Sequence, residues 1–269
     1  MILALAGGVG GAKLAHGLAR VLAPGDLTIA VNTGDDFEHL GLHISPDLDS
    51  VMYKLAGINN TETGWGVAGE SWQFMAALER LGAETWFRLG DHDMATHVVR
   101  TEGLAAGKSL SRVTADLCAC LGIRYTIAPM SDDPVRTLVE TDGGRLAFQH
   151  YFVRDKCEPR ITGFHFEGQL EAAPSPALAA ALADPDLGAI ILCPSNPFIS
   201  MDPILGIPAV KVALAARTVP MVAVSPIIDG KAVKGPAAKM MAELGLAATA
   251  AGIAGHYGGL LDGFILDRV

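Results

Sequence analysis

Cysteine, charged and aromatic residues are all scarce in this chain of 269 residues. Charged residues make up 18% of it, below the roughly 25% of an average globular protein, and aromatic residues make up 6%. The four cysteines include no pair separated by two residues, so the usual spacing of a zinc site is missing. A disulfide framework is equally unexpected, and the composition favours reduced, partly buried thiols in a cytoplasmic protein.

Acidic residues outnumber basic ones: the chain has 29 Asp and Glu and 20 Lys and Arg, which gives a net charge of −9. This balance excludes broad binding to duplex nucleic acid, which needs a surface of Lys and Arg. It also excludes a polybasic membrane patch. No uninterrupted apolar run reaches the ~18 residues of a membrane span, and the first six residues lack the basic region of a signal peptide. We therefore expect neither a nucleic-acid partner nor a membrane.

Half of the residues are hydrophobic, and they fall into short apolar runs separated by helical patterns. The run at residues 2–6 is continuously apolar, as in a strand that is buried on both faces of a parallel sheet, and residues 27–31 (LTIAV) are predicted as the next buried strand. Between them, leucines 14, 18 and 22 recur at a helical period and predict a helix over residues 12–22. This order of strand, glycine loop, helix and strand is the opening of a doubly wound α/β sheet.

The rest of the chain continues the same architecture with two additions. Helical patterns at residues 50–55, 70–81, 92–100 and 110–121 predict a helical insertion at about 50–125, and a strand follows at 125–128. Alternating residues around Asp142-Gly143-Gly144 predict a β-hairpin of 136–141 and 145–151. Further strands are predicted at 189–193, 221–224 and 264–266, and helices at 178–182 and 237–244. The predicted fold is α/β and Rossmann-like, with three layers, a mainly parallel sheet, the helical insertion and the hairpin.

The segment GGVGGAK, residues 7–13, follows the first predicted strand. It is not a Walker loop, because Ala12 stands before Lys13, and Lys13 also breaks the dinucleotide fingerprint. Glycines before a helix nevertheless expose backbone N–H groups to an anion. We predict phosphate binding by Gly7, Gly8, Gly10, Gly11 and Lys13. A tight turn without a ligand is the alternative.

Four aspartates follow the second predicted strand, at the sheet edge where open α/β folds bind ligands. They are Asp35, Asp36, Asp47 and Asp49. Converging carboxylates suit Mg²⁺, or they orient and deprotonate a hydroxyl nucleophile. The alternative is an acidic loop whose aspartates cap helices, with Asp49 as one such cap. Asp35 and Asp36 are the predicted Mg²⁺ ligands, whereas His39 and His43 are taken as ordinary polar residues.

The segment RLGDHDMATH, residues 88–97, follows a strand-like stretch at 85–87 and precedes a predicted helix. An arginine at such a point clamps an anion or a planar heterocycle. In the alternative interpretation, Asp91 or Asp93 only caps the helix.

Three further loops, MSDDPVRT, PSNPFIS and SPIIDGKAVKGPAAK, stand at or near predicted strand ends. Each alone is a turn, but together they indicate a ring of ligand-binding loops. Lys231, Lys234 and Lys239 would add positive charge for phosphates, although solvated lysines are commoner.

The ordered set GGVGGAK, VNTGDD, PDLDS, RLGDHDMATH, MSDDPVRT, PSNPFIS and SPIIDGKAVKGPAAK resembles the 2-phospho-L-lactate transferase family of coenzyme F-420 biosynthesis. The blocks extend from residue 5 to about residue 240. The resemblance implies one domain over residues 1–269 and a homodimer. It also implies a Mg²⁺-dependent reaction in which the ribityl hydroxyl of 7,8-didemethyl-8-hydroxy-5-deazariboflavin attacks a guanosine diphosphate conjugate of a three-carbon acid and releases GMP.

The resemblance also implies roles for individual residues. Asp49 and Arg88, with Asp91 in the same block, would bind the deazaflavin. The glycine segment and the PSNP loop, with Ser195 and Asn196, would line the guanine nucleotide. Asp49, and after it Asp47, are the carboxylates expected to act on the hydroxyl.

Two departures from the family pattern concern the donor. Val9 stands where the family commonly has Thr, and His92 where it commonly has Arg. Either departure is compatible with a different three-carbon acid, so the transferred group is left open among 2-phospho-L-lactate, enolpyruvyl-2-phosphate and phosphoglycerate.

Two other classes are weighed against this family. A regulatory sugar-nucleotide-binding protein, resembling the gluconeogenesis-factor group, would share the glycine loop but carry a GGSSGR-like stretch where this chain has FEHLGLHI. An NAD(P)-dependent oxidoreductase is disfavoured because the dinucleotide fingerprint fails.

Overall fold

A computed structural model describes residues 1–228, 231–232 and 235–267, with the backbone alone at 231–232. In chain order the strands and helices are β1 (Ile2–Ala6), α1 (Gly8–Ala19), β2 (Leu27–Val31), β3 (Phe37–His39), β4 (Leu42–Ile44), α2 (Pro46–Ala56), α3 (Gln73–Arg80), α4 (Asp91–Ala105), α5 (Leu110–Cys120), β5 (Thr126–Pro129), β6 (Arg136–Thr141), β7 (Gly144–Ala147), β8 (Ile161–Glu167), α6 (Pro176–Leu182), β9 (Ala189–Leu192), α7 (Asp202–Leu205), α8 (Pro208–Ala216), β10 (Met221–Val224), β11 (Ile227–Ile228), β12 (Lys231–Ala232), α9 (Ala237–Glu243), α10 (Ala250–Tyr257) and β13 (Gly263–Ile265). Short 3₁₀ or π-helical turns lie at Pro24–Asp26, His150–Arg154, Pro197–Met201 and Gly258–Leu260.

Six parallel strands form the central sheet in the order β13-β10-β9-β1-β2-β5. Strand β1 is central and pairs with β2 on one side and with β9 on the other. The order of the strands therefore reverses between β1 and β9, and ligands of open α/β sheets bind outside the carboxyl ends of the strands at such a point.

Both faces of this sheet are covered, which explains the unbroken apolar runs of its strands. Leu3 and Leu5 face a core with α6, α8 and α9, whereas Ala4 and Ala6 face a second core with α1, α2 and α5. A strand buried on both faces has no polar side to alternate with. The α/β class and the three-layer Rossmann-like arrangement predicted from the sequence are confirmed.

The predicted hairpin is present and gains a third strand. Strand β6 pairs antiparallel with β7 around Thr141↔Gly144 and with β8 on its other edge. The second strand was predicted to reach residue 151, but it ends at Ala147. Beyond it, Gln149 Nε2 donates to the Asp35 carbonyl (3.2 Å) and Tyr151 is fully buried in the π-helical turn, so packing overrides the alternating pattern.

Between β2 and β5 the chain forms the hairpin β3–β4 and the helices α2 to α5. The strand predicted at residues 85–87 is wrong. Instead, the Trp86 ring packs against His39 and His150, with centroids 5.1 and 4.9 Å away. The first helix begins at Gly8 rather than at residue 12, so the glycine segment forms the first turn of α1. The boundaries of the insertion and the single-domain assignment stay predictions.

The helices in the described ranges are short. None of them alone is long and apolar enough to cross a membrane, and Pro197–Leu205 with Pro208–Ala216 meets the length and hydropathy only as a pair bent by 83°. The second member of that pair buries Val210 and Leu214 in the core.

Candidate active site

Asn32, the first residue after β2, connects the loops at the carboxyl ends of the strands. Its side-chain NH₂ donates to the carboxylates of Asp35 (3.1 Å) and Asp47 (3.0 Å) and to the Ile199 carbonyl (3.2 Å). Its side-chain oxygen accepts from the Gly34 N–H (2.8 Å). Asn32 is fully buried. Sequence reasoning did not single it out, although a polar residue that ends a buried strand at this edge is a recognisable pattern.

Asn32 contacts two carboxylates, Asp35 and Asp47, and Asp36 lies near enough for its charge to act on both; all three are buried. Burial raises the pKa of Asp47 to about 7; the hydrogen bond from Asn32 opposes this shift and the charge of Asp36 adds to it. Burial also raises the pKa of Asp35 well above its ordinary value, and the charges of Asp47 and Asp36 raise it further. The three groups therefore repel one another when they are ionised.

Asp36 is fixed by residues of β4 and of the turn that follows. The Ser45 hydroxyl donates to Asp36 Oδ2 (2.8 Å), and His43 Nε2 lies 3.2 Å from the same oxygen. The other oxygen, Oδ1, is buried and has no hydrogen-bond partner among the described residues. His43 could not be distinguished from His39 by sequence, because both lie in a glycine-containing loop where a spacing of four has no helical meaning.

This carboxylate cluster (Asp35, Asp36 and Asp47) has the chemistry of a Mg²⁺ site. Mg²⁺ prefers oxygen ligands and uses one or two carboxylates together with water and phosphate oxygens. A divalent cation here would cancel the mutual repulsion and would offer a partner to Asp36 Oδ1. The donor set therefore suits the ion chemically, and Asp47 is a further candidate beside the two predicted ligands.

The glycine segment packs closely against the loop after β9. The Gly7 N–H donates to Ser195 Oγ (3.0 Å), and that hydroxyl donates to the Gly7 carbonyl (2.7 Å). A Cβ at Gly7 would lie 2.5 Å from Ser200 Cβ, and one at Gly10 would overlap the Pro194 carbonyl oxygen. Close approach of backbones therefore requires these glycines, whatever ligand they bind.

Gly8 and Lys13 complete the segment predicted to bind phosphate. Gly8 has a positive φ of +56°, and its N–H donates to the Asp47 carboxylate. The side chain of Lys13 is exposed on α1. The N-terminus of α1 thus meets the carboxylate cluster, and phosphate binding by the segment stays a prediction.

Replacing Gly10 by Ala is expected to lower the free energy of unfolding by about 3 kcal/mol, because overpacking against a backbone carbonyl forces the chain to shift. Gly17→Ala is the matched control, since Gly17 lies in the same helix and a Cβ there meets nothing within 4 Å. That change should raise stability by about 0.5–1 kcal/mol. Calorimetric melting of both variants checks the pair, and equal melting temperatures would contradict the packing role.

Asn196 shapes the turn that fills the space next to β1. Its Oδ1 accepts from the N–H groups of Phe198 (3.0 Å) and Ile199 (3.4 Å), which caps the turn Pro197–Met201. The turn carries the Ile199 carbonyl to Asn32. Ser195 and Asn196 thus hold the loop, and their predicted contact with a nucleotide is untested.

Of Lys231, Lys234 and Lys239, only Lys239 has a described side chain. Its ammonium donates to Glu243 (2.7 Å) and to the Pro159 carbonyl (3.0 Å). Lys234 and the side chain of Lys231 lie outside the described residues.

Asp49 faces away from the carboxylate cluster. Residues two apart on a helix are separated by roughly 200° around its axis, and Asp49 contacts α4 instead of Asn32. Both of its oxygens accept from the buried Arg100 guanidinium, with Oδ2 3.2 Å from NH1, and His97 Nδ1 lies 3.6 Å away. Burial raises the pKa of Asp49, and Arg100 and His97 oppose that shift. Both oxygens of Asp49 are thus engaged by Arg100, and its predicted action on the substrate hydroxyl stays a prediction.

Arg88 is exposed, and its guanidinium carbon lies 4.2 Å from the centroid of the Trp72 ring. The Asp91 carboxylate, in contrast, is already engaged in hydrogen bonds within the chain. It accepts from the Ser71 hydroxyl and from the N–H groups of Gln73 (3.1 Å) and Phe74 (3.2 Å), which caps α3. The capping alternative thus describes its geometry, although it caps α3 rather than its own helix.

Glu70 caps α4 in turn, because it accepts from the N–H groups of His92 (2.7 Å) and Asp93 (2.8 Å). The side chain of His92 itself is exposed. Contacts of Arg88, Asp49 or Asp91 with a deazaflavin stay predictions.

Comparison with known proteins gives a consistent result over the whole chain. The family model described as 2-phospho-L-lactate transferase CofD matches residues 2–269. The phosphoenolpyruvate transferase of Streptomyces griseus is 43% identical, over 100% of this chain and 86% of its own length. The 2-phospho-L-lactate transferase of Methanospirillum hungatei is 39% identical, over 100% of this chain and 89% of its own length.

Among solved structures, a protein of the UPF0052 family from Bacillus halodurans matches with a TM-score of 0.58 at 16% sequence identity. The match covers 83% of this chain and 68% of that chain. At this identity the similarity supports the fold alone, and it agrees with the Rossmann-like architecture described above.

Proposed function

The chain belongs to the 2-phospho-L-lactate transferase CofD family, and from this membership we infer that it is a transferase of coenzyme F-420 biosynthesis. We propose that it moves a phospho-three-carbon-acid group from a guanosine diphosphate conjugate to the ribityl hydroxyl of 7,8-didemethyl-8-hydroxy-5-deazariboflavin. In this reaction the hydroxyl oxygen bonds to the phosphorus, the bond to GMP breaks, and the hydroxyl proton is lost. The observation that supports the proposal best is the carboxylate cluster at the carboxyl edge of the sheet.

For the donor, we propose the enolpyruvyl-2-phosphate conjugate. The Streptomyces griseus and Thermobifida fusca relatives, at 43% and 41% identity, are named phosphoenolpyruvate transferases. The Methanospirillum hungatei relative, named for 2-phospho-L-lactate, is 39% identical. Val9 and His92, which depart from the family pattern, lie at the starts of α1 and α4, where a change of donor would be accommodated.

The residues of the chain contribute positioning and charge neutralisation, which dominate phosphoryl transfer to an alcohol. We propose that Asp35, Asp36 and Asp47 hold Mg²⁺, which neutralises charge on the phosphate oxygens of the donor. Asn32 orients two of these carboxylates, and Ser45 orients the third. In this proposal Asp47 acts as a metal ligand, and the action of Asp49 on the hydroxyl stays a prediction.

Two further features belong to the proposal by resemblance to the family, namely a homodimer and a cytoplasmic location. The regulatory sugar-nucleotide-binding alternative gains no support, because the similarity to the UPF0052 protein is evidence for the fold only.

The function is tested by incubating the purified protein with the deazaflavin, Mg²⁺ and each of the three guanylylated acids. Mass spectrometry should detect GMP and a phosphodiester-linked deazaflavin with the enolpyruvyl conjugate. Reactions without deazaflavin control for simple hydrolysis of the donor. Absence of product with every donor would overturn the transferase proposal, and product with another donor alone would overturn only the choice of acid. Tight binding of a UDP-sugar with no transfer would favour the regulatory alternative.

Arg88→Ala is expected to raise KM for the deazaflavin about 10-fold with little change in kcat, because a planar cation on an aromatic ring is suited to holding a flat heterocycle in the ground state. Arg145→Ala is the matched control. Arg145 is also exposed, but it pairs with Glu140 in the β6–β7 hairpin. Steady-state kinetics with varied deazaflavin distinguishes the two, and an unchanged KM for Arg88→Ala would remove this residue from the acceptor site.

A further inference from the structure

Helix α4 contacts both segments that hold the carboxylate cluster, and it does so through Arg100. Arg100 is the largest of the fully buried side chains in the described chain. Its two terminal nitrogens donate to the two oxygens of Asp49 on α2. One of them, NH1, also donates to the His43 carbonyl on β4 (3.5 Å). A single guanidinium therefore joins α2 to β4.

Asp49 and His43, the two residues that Arg100 joins, are both close to the carboxylate cluster. Asp49 lies on the first turns of α2, two residues after Asp47. His43 directs its imidazole to Asp36, with Nε2 3.2 Å from Oδ2. The Thr101 hydroxyl accepts from the His43 N–H (2.8 Å). Helix α4 thus holds both backbone polar groups of His43.

Stability alone explains this arrangement poorly. A buried ion pair costs so much desolvation that well-packed apolar residues of similar volume are often equally stabilising. Here the pair lies in a larger polar network, in which His97 lies between Asp49 and Asp93 and the Tyr53 hydroxyl donates to Asp93 (2.6 Å). What such a network provides is a fixed geometry, because each member has at least one directional partner, although Arg100 Nε and His97 Nε2 are buried without a hydrogen-bond partner among the described residues.

A second metal ion is not the explanation for this network. Asp49, Asp93 and His97 lie close enough to one another to hold an ion. However, Arg100 already engages both oxygens of Asp49 and supplies the positive charge. We assign no ion to these residues.

We propose that Arg100 and Thr101 are positioning residues for the Mg²⁺ site. They hold α2 and β4 so that Asp47 and Asp36 converge on one ion with Asp35, and they themselves touch neither ion nor substrate. The inference rests on the proposed function only in that the carboxylate cluster holds the metal. Groups that orient metal ligands from behind typically change metal affinity or activity about 10- to 100-fold when they are altered.

The test compares Arg100→Lys and Thr101→Val with the wild type. Lysine keeps the charge but replaces the planar fork by one ammonium, which cannot hold Asp49 and His43 together. Valine removes the hydroxyl at nearly constant shape. Direct binding of Mn²⁺ is measured by electron paramagnetic resonance of the free ion, without substrates. We expect the dissociation constant to rise about 10-fold or more in each variant, and the Mg²⁺ concentration at half-maximal rate to rise in parallel, with KM for the deazaflavin within about twofold.

Arg217→Lys is the matched control. Arg217 also has three partners, namely the Leu214 and Leu260 carbonyls and the Asp262 carboxylate. It precedes β10 and so lies at the amino ends of the strands, whereas the carboxylate cluster lies at their carboxyl ends. Thermal melting shows which variants fold, and the control should bind Mn²⁺ like the wild type.

Mn²⁺ affinity within twofold of wild type in folded Arg100→Lys would overturn the proposal. If that variant does not fold, wild-type affinity in Thr101→Val overturns it, and weakened affinity there supports it. A wild-type protein that forms no product with any donor would contradict the proposed function, yet the Mn²⁺ measurements would still decide the positioning role.

Discussion

Asp47→Asn is expected to lower kcat about 10²- to 10³-fold, the largest effect of any single substitution considered for this chain. Losing one preorganised electrostatic contact to a developing charge typically costs this much, and Asp47 would provide one of three carboxylates to the metal. The amide also disturbs the site locally, because Asn32 and the Gly8 N–H both donate to Asp47. An amide offers a single oxygen to two donors.

Single-turnover kinetics at saturating donor and deazaflavin checks this result, with Mg²⁺ varied over a wide range. Asp262→Asn is the matched control, since Asp262 accepts from the Met221 N–H and from Arg217 at the opposite edge of the sheet. That variant should keep its rate within about threefold of the wild type, because Asp262 has no contact with the carboxylate cluster within the described ranges and surface substitutions of this kind cost little stability. A rate above a tenth of the wild-type value in Asp47→Asn would exclude Asp47 from the metal site.

The sheet could be predicted from the sequence because local composition determines its strands. Ile2–Ala6 and Met221–Val224 are apolar on both faces and Leu27–Val31 is apolar except for Thr28, and a run of this kind admits few alternatives when glycine or proline follows it. The start of α1 was missed for a physical reason. Glycines 8, 10 and 11 have low helix propensity, yet contacts with Pro194 and Ser195 place them in the first turn of the helix.

The site was predicted in part. Asp35, Asp36 and Asp47 follow strand β2 closely enough for sequence to place them at one edge of the sheet. The partners of Asp49 could not be inferred in the same way, because Arg100 is 51 residues away in the sequence and meets it only in the folded chain, where α4 packs against β4 and α5. The strand predicted at residues 85–87 fails similarly, since Trp86 and Phe87 pack against the side chains of Phe37 and His39 rather than in a sheet.

Withdrawal of Mg²⁺ is the second large effect that we expect, and it acts on stability as well as on rate. Chelation should lower the transfer rate by about 10³-fold, because charge on the phosphate oxygens is then no longer neutralised. It should also destabilise the fold, because Asp35 and Asp47 are buried beside Asp36 and repel it. An ion that binds only the folded chain stabilises it by about 2.7 kcal/mol at 100 times its dissociation constant.

For a domain of this size, that free energy corresponds to a rise in melting temperature of about 5 °C or more. Calorimetric scans with excess EDTA and with excess Mg²⁺ measure the shift, and the rate should recover when Mg²⁺ is added back. Asp47→Asn shows whether the stabilisation comes from Mg²⁺ at the carboxylate cluster or at a weaker site elsewhere. This variant should lose most of the Mg²⁺-dependent rise in melting temperature, whereas Asp262→Asn should keep it. Identical melting temperatures of the wild type in EDTA and in Mg²⁺ would mean that the three carboxylates are buried together without an ion, and the metal assignment would then be wrong.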